Sequence, residues 1–254
     1  MADALIGYSG FVGGNLLTQR PFDELFNSRN IATIGDRAFD TIVCAGAPAE
    51  KWRANREPME DRARLATLTE ALERTSARKV ILVSTVDVYP TPIEVDEATP
   101  IDPEGGQPYG RHRYELERFV QERFDTLVVR LPGLFGTGIK KNIVFDFLHD
   151  NNVSQVHADS VFQFYGLETL WRDIETALAN GLTLVNFATE PVSVGDVARE
   201  AFGMAFENRP AAPPARYDFR SRHAALFGGH GEYLQNRARV LGGLAEFVRR
   251  ERGR

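Results

Sequence analysis

Short apolar runs alternate with longer segments whose apolar residues recur at helical spacing, and the alternation continues through most of the chain. The runs predict strands at Ala4–Ile6, Phe22–Phe26, Thr41–Ala45, Val80–Ser84, Thr126–Arg130 and Leu182–Asn186. The periodic segments predict helices at Phe11–Thr18, Glu57–Glu73, Tyr109–Arg123, Ile143–His149, Leu167–Ala179, Val194–Phe206 and Ala238–Arg250. Strands and helices taken in turn predict an α/β fold of βαβ units on a doubly wound parallel sheet. The second strand needs an argument, because "IATI" at 31–34 is the more strand-like string. About six residues separate it from "TIVCA", whereas a parallel crossover takes about a dozen. Placing the strand in "FDELF" restores a feasible crossover and leaves no room for a further full strand and helix after it.

At 254 residues the chain is long enough for one large domain, or for a domain with a smaller lobe. The expected division is a core over 1–135 and a mixed part over 136–254 that adds core elements and a small C-terminal lobe. "NRPAAPPAR" at 208–216 reads as a surface connection. Apolar content of 43% and charged content of 26% suit a globular protein. A net charge of −5 gives no footprint for nucleic acid, and the basic end "FVRRERGR" reads as the solvated face of a last helix. One cysteine, Cys44, excludes an internal disulfide, and the five histidines show no metal spacing. No apolar run is long enough to span a bilayer, and the first residues lack a basic leader, so the expected location is cytoplasmic.

The first strand-to-helix junction carries Gly7, Ser9, Gly10, Phe11, Val12 and Gly13 in "GYSGFVG". In this context the first glycine permits a tight turn, the second lets a pyrophosphate reach the backbone, and the third lets helix and strand pack closely. The pattern predicts dinucleotide binding. An NAD-preferring site usually has an acid closing the second strand, where it holds the ribose 2′-hydroxyl. That strand ends here in "NSRN", with no carboxylate. Asn27, Ser28 and Arg29 are therefore expected to hold a 2′-phosphate, and NADP(H) is expected to be preferred. NAD(H) stays open, with Asp36 as the acid that would serve it.

Further along lie "CAGAP" after a central strand, "STVDVYP" at 84–90, "PYGRHR" at 108–113 and "RLPGLFG" after the next strand. With the glycine loop, these motifs in this order resemble the extended branch of the short-chain dehydrogenase/reductase superfamily, the NAD(P)-dependent epimerases, dehydratases and reductases of nucleotide sugars. The resemblance rests on motifs over about residues 1–145 and is looser beyond them. It implies a Rossmann-type fold and adds Ala45, Gly46, Ala47 and Pro132 to the cofactor residues. It implies that Thr85 hydrogen-bonds the reacting carbonyl or hydroxyl and that Tyr109 is the general acid or base. Arg113 stands where the family places a lysine that binds the nicotinamide ribose and favours the tyrosinate. Making a tyrosine a base at neutral pH takes a shift of about three units, roughly 4 kcal/mol. A cation about 5 Å away at an effective dielectric near 20 supplies on the order of 3 kcal/mol, and arginine keeps that charge.

Dehydratases of the family carry two adjacent acids after the threonine, and here the first of those positions is Val86. Reduction or epimerisation is expected ahead of dehydration, with Asp87 either substrate-facing or structural. Lys140, Lys141 and Asn142 open a helix and suit an anion, and Arg172 in "FQFYGLETLWRD" is a further substrate candidate. The expected substrate is a sugar or nucleotide sugar, with no nucleic-acid or membrane partner and no metal. The family resemblance implies pairing into a homodimer through the tyrosine helix. The alternative from another class is a dinucleotide-binding sensor or partner-binding protein without turnover, to which the arginine at the lysine position points.

Overall fold

Ala4, Leu5 and Ile6 are all buried, as are Ile42, Val43 and Cys44, and Val80, Ile81 and Leu82. Consecutive residues on a strand face opposite ways, so runs like these bury both faces and need a parallel sheet covered by helices. The computed structural model, which describes residues 1–253, has that arrangement. In chain order its elements begin with β1 (Ala2–Ile6), α1 (Phe11–Leu17), β2 (Glu24–Phe26), β3 (Ala38–Cys44), α2 (Lys51–Arg56), α3 (Pro58–Glu73) and β4 (Ser76–Thr85). They continue with β5 (Ile93–Val95), α4 (Pro108–Arg123), β6 (Thr126–Leu131), β7 (Gly133–Phe135), α5 (Ile143–His149), β8 (Val161–Phe162) and β9 (Phe164–Gly166). The last are α6 (Leu170–Ala179), β10 (Leu184–Asn186), β11 (Val192–Ser193), α7 (Val194–Phe202), β12 (Asp218–Phe219) and α8 (Arg237–Arg252).

The central sheet runs β10-β6-β4-β3-β1-β2, parallel where β2, β1, β3 and β4 meet. The strand order turns between β1 and β3, and in such sheets a ligand binds outside the carboxyl ends of the strands at that turning point. The second strand lies in "FDELF" as the crossover argument requires, and "IATI" forms a 3-10 turn. One face of the sheet packs Ile6, Ile42, Val80, Leu82 and Val128 against Leu65, Leu68 and Leu72 of α3 and Leu116 and Val120 of α4.

A buried ion pair fixes α4 in this frame. Glu117, 0% exposed, takes a bidentate bond from Arg130 of β6 with the shortest contact at 2.6 Å, and the Ser84 hydroxyl donates to the same carboxylate at 2.5 Å. Arg130 also donates to the Tyr89 hydroxyl at 2.7 Å. A desolvated pair is tolerable only when its remaining bonds are made, and here they tie the helix to β4 and β6.

The chain divides into two compact units, residues 1–91, 98–130 and 171–185 in one and residues 92–97, 131–170 and 186 onward in the other. Residues 171–185, well past position 135, thus sit with the sheet. In the second unit β5 pairs with β12, β7 with β9, and β8 with β11. These strands of two or three residues are too short to show a period and are absent from the sequence expectations.

The helix expected over Glu57–Glu73 is α3, which Pro58 opens, and a short α2 that the pattern did not announce precedes it. Two other expected helices are corrected. Val194–Phe206 ends at Phe202, where Gly203 turns left-handed at φ 66°. The first turn of Leu167–Ala179 is 3-10. The strand expected from Leu182 begins at Leu184.

Candidate active site

At the carboxyl end of β1 the chain turns through Gly7, whose φ of 87° favours glycine. A Cβ there would strike the Ala45 carbonyl, and one on Gly13 would strike the Gly7 carbonyl. The loop after β1 therefore lies against "AGA" at 45–47 after β3, at the point where the strand order turns. Gly7 N donates to Phe26 O at 2.7 Å, and Ala45 N to Ile6 O at 2.9 Å. Gly10 caps α1 with no side-chain bond, so no side chain of the cap covers the first amides of the helix.

The end of β2 closes the same loop. Asn27 Nδ2 donates to Ser9 Oγ at 3.5 Å, and Asn27 Oδ1 accepts from Arg29 N at 2.9 Å. Ser28 and Arg29 are exposed. Asp36 precedes β3, at the amino ends of the parallel strands, and its carboxylate is paired with Arg74. The acid that would have served NAD in place of an Arg29 site is therefore at the opposite edge of the sheet from Gly7.

Thr85 closes β4 and caps a 3-10 turn over Val86–Val88, its Oγ1 accepting from Asp87 N at 3.2 Å. α4 starts on this turn. Gly110 lies on the Asp87 carbonyl so closely that a Cβ has no room. Pro108 opens the helix, and Tyr109 N, an amide without an intrahelical partner, donates to Asn55 Oδ1 of α2 at 3.0 Å. Tyr109 thus starts α4 next to the turn that Thr85 caps, and its side chain is buried.

Burial pushes the pKa of this phenol above the ordinary value; Arg113 pulls it down, Asp87 pushes it up, Lys51 and the Thr85 side chain pull it down, and the net direction is upward. The phenol is therefore protonated at neutral pH and stands as a proton donor. Lys51 Nζ lies 2.7 Å from Asp87 Oδ1.

Arg113 is 3% exposed and turned to α3. Its guanidinium is bidentate to Asp61, with Nη2 to Oδ1 at 2.9 Å, and bonds the Pro48 carbonyl. It stacks over the Tyr109 ring at 4.0 Å from the centroid, and its Nε is buried without a partner. Burial raises the Asp61 pKa, but bonds from Arg113 and from His112 Nδ1, at 2.8 Å, outweigh it and hold the carboxyl below its usual range.

The structure thus brings Gly7, Ser9, Gly13, Asn27 and the 45–47 segment together, and separately Thr85, Asp87, Tyr109 and Arg113. Pro132 follows the carboxyl end of β6. In the second unit Lys140 and Lys141 are exposed, while the Asn142 side chain is committed to capping α5 and to the Leu134 carbonyl at 2.8 Å. Arg172 is exposed on α6 and pairs with Asp173 at 3.1 Å. Sequence reasoning missed Lys51, Asn55 and Asp61, whose partners are 36, 54 and 52 positions away. No local pattern announces pairs at that range.

The sequence model of the NAD dependent epimerase/dehydratase family matches residues 22–174, more than half the chain and beginning after the glycine loop. No curated protein sequence matches. Among solved structures, the fold is similar to MoeE5 in complex with UDP-glucuronic acid and NAD, at 16% identity and a TM-score of 0.73, over 99% of this chain and 100% of that one. It is similar to UDP-glucose 4-epimerase of Thermotoga maritima with UDP-glucose, at 16% identity and 0.72, over 100% and 99%. It is also similar to a dTDP-4-dehydrorhamnose reductase from Clostridium acetobutylicum, at 16% identity and 0.73, over 99% and 100%. Identities this low show likeness of fold.

Proposed function

The chain belongs to the NAD dependent epimerase/dehydratase family, and on that premise we propose that it is a nicotinamide-dependent oxidoreductase or epimerase acting on a carbonyl or hydroxyl of a sugar or nucleotide sugar. The observation that carries the reading is the seating of α4 on the turn that follows Thr85, with Gly110 packed on the Asp87 carbonyl beside Tyr109, at the carboxyl end of β4, the sheet edge that also bears the glycine loop. The Gly7 and Gly13 cradle, which a Cβ would fill, fits a dinucleotide pyrophosphate. The nicotinamide supplies or accepts the hydride when bound.

Every other role falls to the chain. Thr85 orients the reacting oxygen through its hydroxyl. Tyr109, protonated near neutrality, donates its proton to a carbonyl oxygen as that oxygen gains charge, and takes it back in the oxidative direction. Exposed Ser28 and Arg29 support a preference for a 2′-phosphate, hence for NADP(H), and Val86 in place of a first acid supports reduction or epimerisation over dehydration. The structural neighbours bearing UDP-glucose and UDP-glucuronic acid support a nucleotide sugar as the substrate class.

A second reading is favoured by one observation, the commitment of Arg113 to Asp61 instead of an open position beside a ribose. It is a dinucleotide-binding protein without turnover. Incubation with NADPH and with NADH across a panel of keto-sugars and nucleotide sugars separates the two. The enzyme reading expects cofactor consumption that falls about 100-fold or more in Tyr109→Phe, with cofactor affinity unchanged. Full turnover in that variant would refute the acid/base role. Binding without turnover across the panel would favour the second reading.

A further inference from the structure

We propose that Ser84 and Tyr89 are positioning residues of the site: bound to Glu117 and Arg130, they hold the turn that begins at Thr85 against α4 and so set the place of the Thr85 hydroxyl relative to Tyr109. The inference rests on the reading of Thr85 and Tyr109 as the reacting pair and adds what fixes their relation.

The turn over Val86–Val88 is gripped at both ends. Ser84 precedes its cap, Thr85, and Tyr89 closes it, with the Tyr89 amide donating to the Val86 carbonyl at 3.0 Å. The Ser84 hydroxyl donates to Glu117 Oε1 at 2.5 Å. The Tyr89 hydroxyl accepts from Arg130 Nη1 at 2.7 Å, while Arg130 Nε and Nη2 hold the Glu117 carboxylate at 3.0 and 2.6 Å. One buried ion pair thus reaches both ends of a three-residue turn.

The carboxylate of that pair belongs to the helix that carries Tyr109. Positions 109, 113 and 117 are four apart, so they follow one another along a single face of α4, and all three are buried. Arg113, in the middle, is committed sideways to Asp61 of α3. Glu117 takes the bond from β4, and Gly110, one place after Tyr109, rests on the Asp87 carbonyl of the turn. Any slip of the turn along the helix would have to break these bonds in a site without water to replace them, where an unmade bond is costly.

Removing Glu117 or Arg130 would leave the other's charge buried and endanger the fold. The neutral ends are the informative ones. Ser84→Ala removes one hydroxyl and leaves the ion pair closed, and Tyr89→Phe keeps the ring whose centroid lies 4.9 Å from the Arg130 guanidinium carbon. Contacts that served the fold alone would cost stability when removed and leave turnover in place. Contacts that position Thr85 cost turnover, and the cost disappears once the Thr85 hydroxyl is absent.

The test joins amide hydrogen exchange to kinetics on the intact protein. In Ser84→Ala and in Tyr89→Phe, the Asp87 and Tyr89 amides, both bonded within the turn, are expected to exchange about 10-fold faster, with those of Val80, Ile81 and Leu82 inside β4 unchanged. With the cofactor and sugar that the panel selects, kcat is expected to fall about 10-fold in each variant while KM and cofactor affinity hold. Added to Thr85→Ala, neither change is expected to lower kcat by more than about 2-fold. Exchange at the parent rate, kcat at the parent value, or losses that multiply with that of Thr85→Ala would each overturn the inference. If Thr85→Ala keeps full turnover, or the parent turns over nothing in the panel, the functional reading falls, and the exchange rates still decide whether the two residues hold the turn.

Discussion

Replacing Arg113 by methionine tests whether the arginine is a structural cation. The substitution keeps an unbranched stem of similar length and removes the charge. Asp61 stays 5% exposed and keeps the bond to the His112 ring while losing those from Arg113. Removing one member of a buried pair costs about 3–5 kcal/mol, because the other charge stays buried. The side chains of Arg113 and Asp61 are 3% and 4% exposed, so solvent screening gives little relief. With a urea dependence on the order of 3 kcal/mol per molar, the midpoint of unfolding falls by about 1 M or more. The pH dependence has a definite sign. In the parent the Asp61 pKa is depressed in the folded state, so its contribution is present above the unfolded value of 3.8 and is lost as pH falls through the folded pKa. In the variant, burial outweighs what is left and the folded pKa rises, so protonation relieves the penalty. The gap between parent and variant therefore narrows as the pH is lowered from neutrality into the acid range. Urea melts at several pH values measure both effects. A midpoint unchanged within about 0.2 M, or a gap that widens toward acid, would refute the reasoning.

Arg29→Ala is expected to lose about 10- to 100-fold in affinity for NADPH and little for NADH, the range set by one charge-assisted bond to phosphate. Calorimetric titration of both cofactors checks this, and tighter binding of NADH by the parent would contradict it. Asp196 caps the start of α7 with Ser193 and reaches Arg237 of α8 at 2.5 Å. Burial raises its pKa, yet bonds from Ser193, Arg237 and Arg199 bring it down to about 2. Its contribution of about 2 kcal/mol is present above the unfolded value and is lost as pH falls through about 2. Asp196→Asn is therefore expected to lose that stability at neutral pH and to flatten the acid side of the unfolding curve.

The central sheet was legible because its strands are apolar on both faces and the crossover lengths restrict which of them follow one another. The argument that moved the second strand from "IATI" to "FDELF" used only the reach of the chain, and that quantity survives folding. The short strands of the second unit were not legible, because two residues carry no period. The short helix α2 before Glu57 was not legible, because six residues make fewer than two turns of helical period. Around the site, the sequence pointed to Thr85, Tyr109 and Arg113 but could not give the direction in which Arg113 faces. That direction depends on Asp61, which on its own helix reads as one more acid in "EPMEDRAR". Lys51 was hidden for the same reason, on a six-residue helix whose partner lies after the next strand.

The early crossover, with no room for an additional strand, makes β2 the outer margin of the sheet. A free margin invites a second chain to add its own strand, and open sheets aggregate by that route. Here the margin is three residues long, one of them Glu24 in an ion pair with Arg37. Immediately after it, the backbone of Asn27–Asn30 is folded onto its own asparagine side chains and continues into a 3-10 turn. Truncating the sheet has left an end too short and too occupied to template further growth.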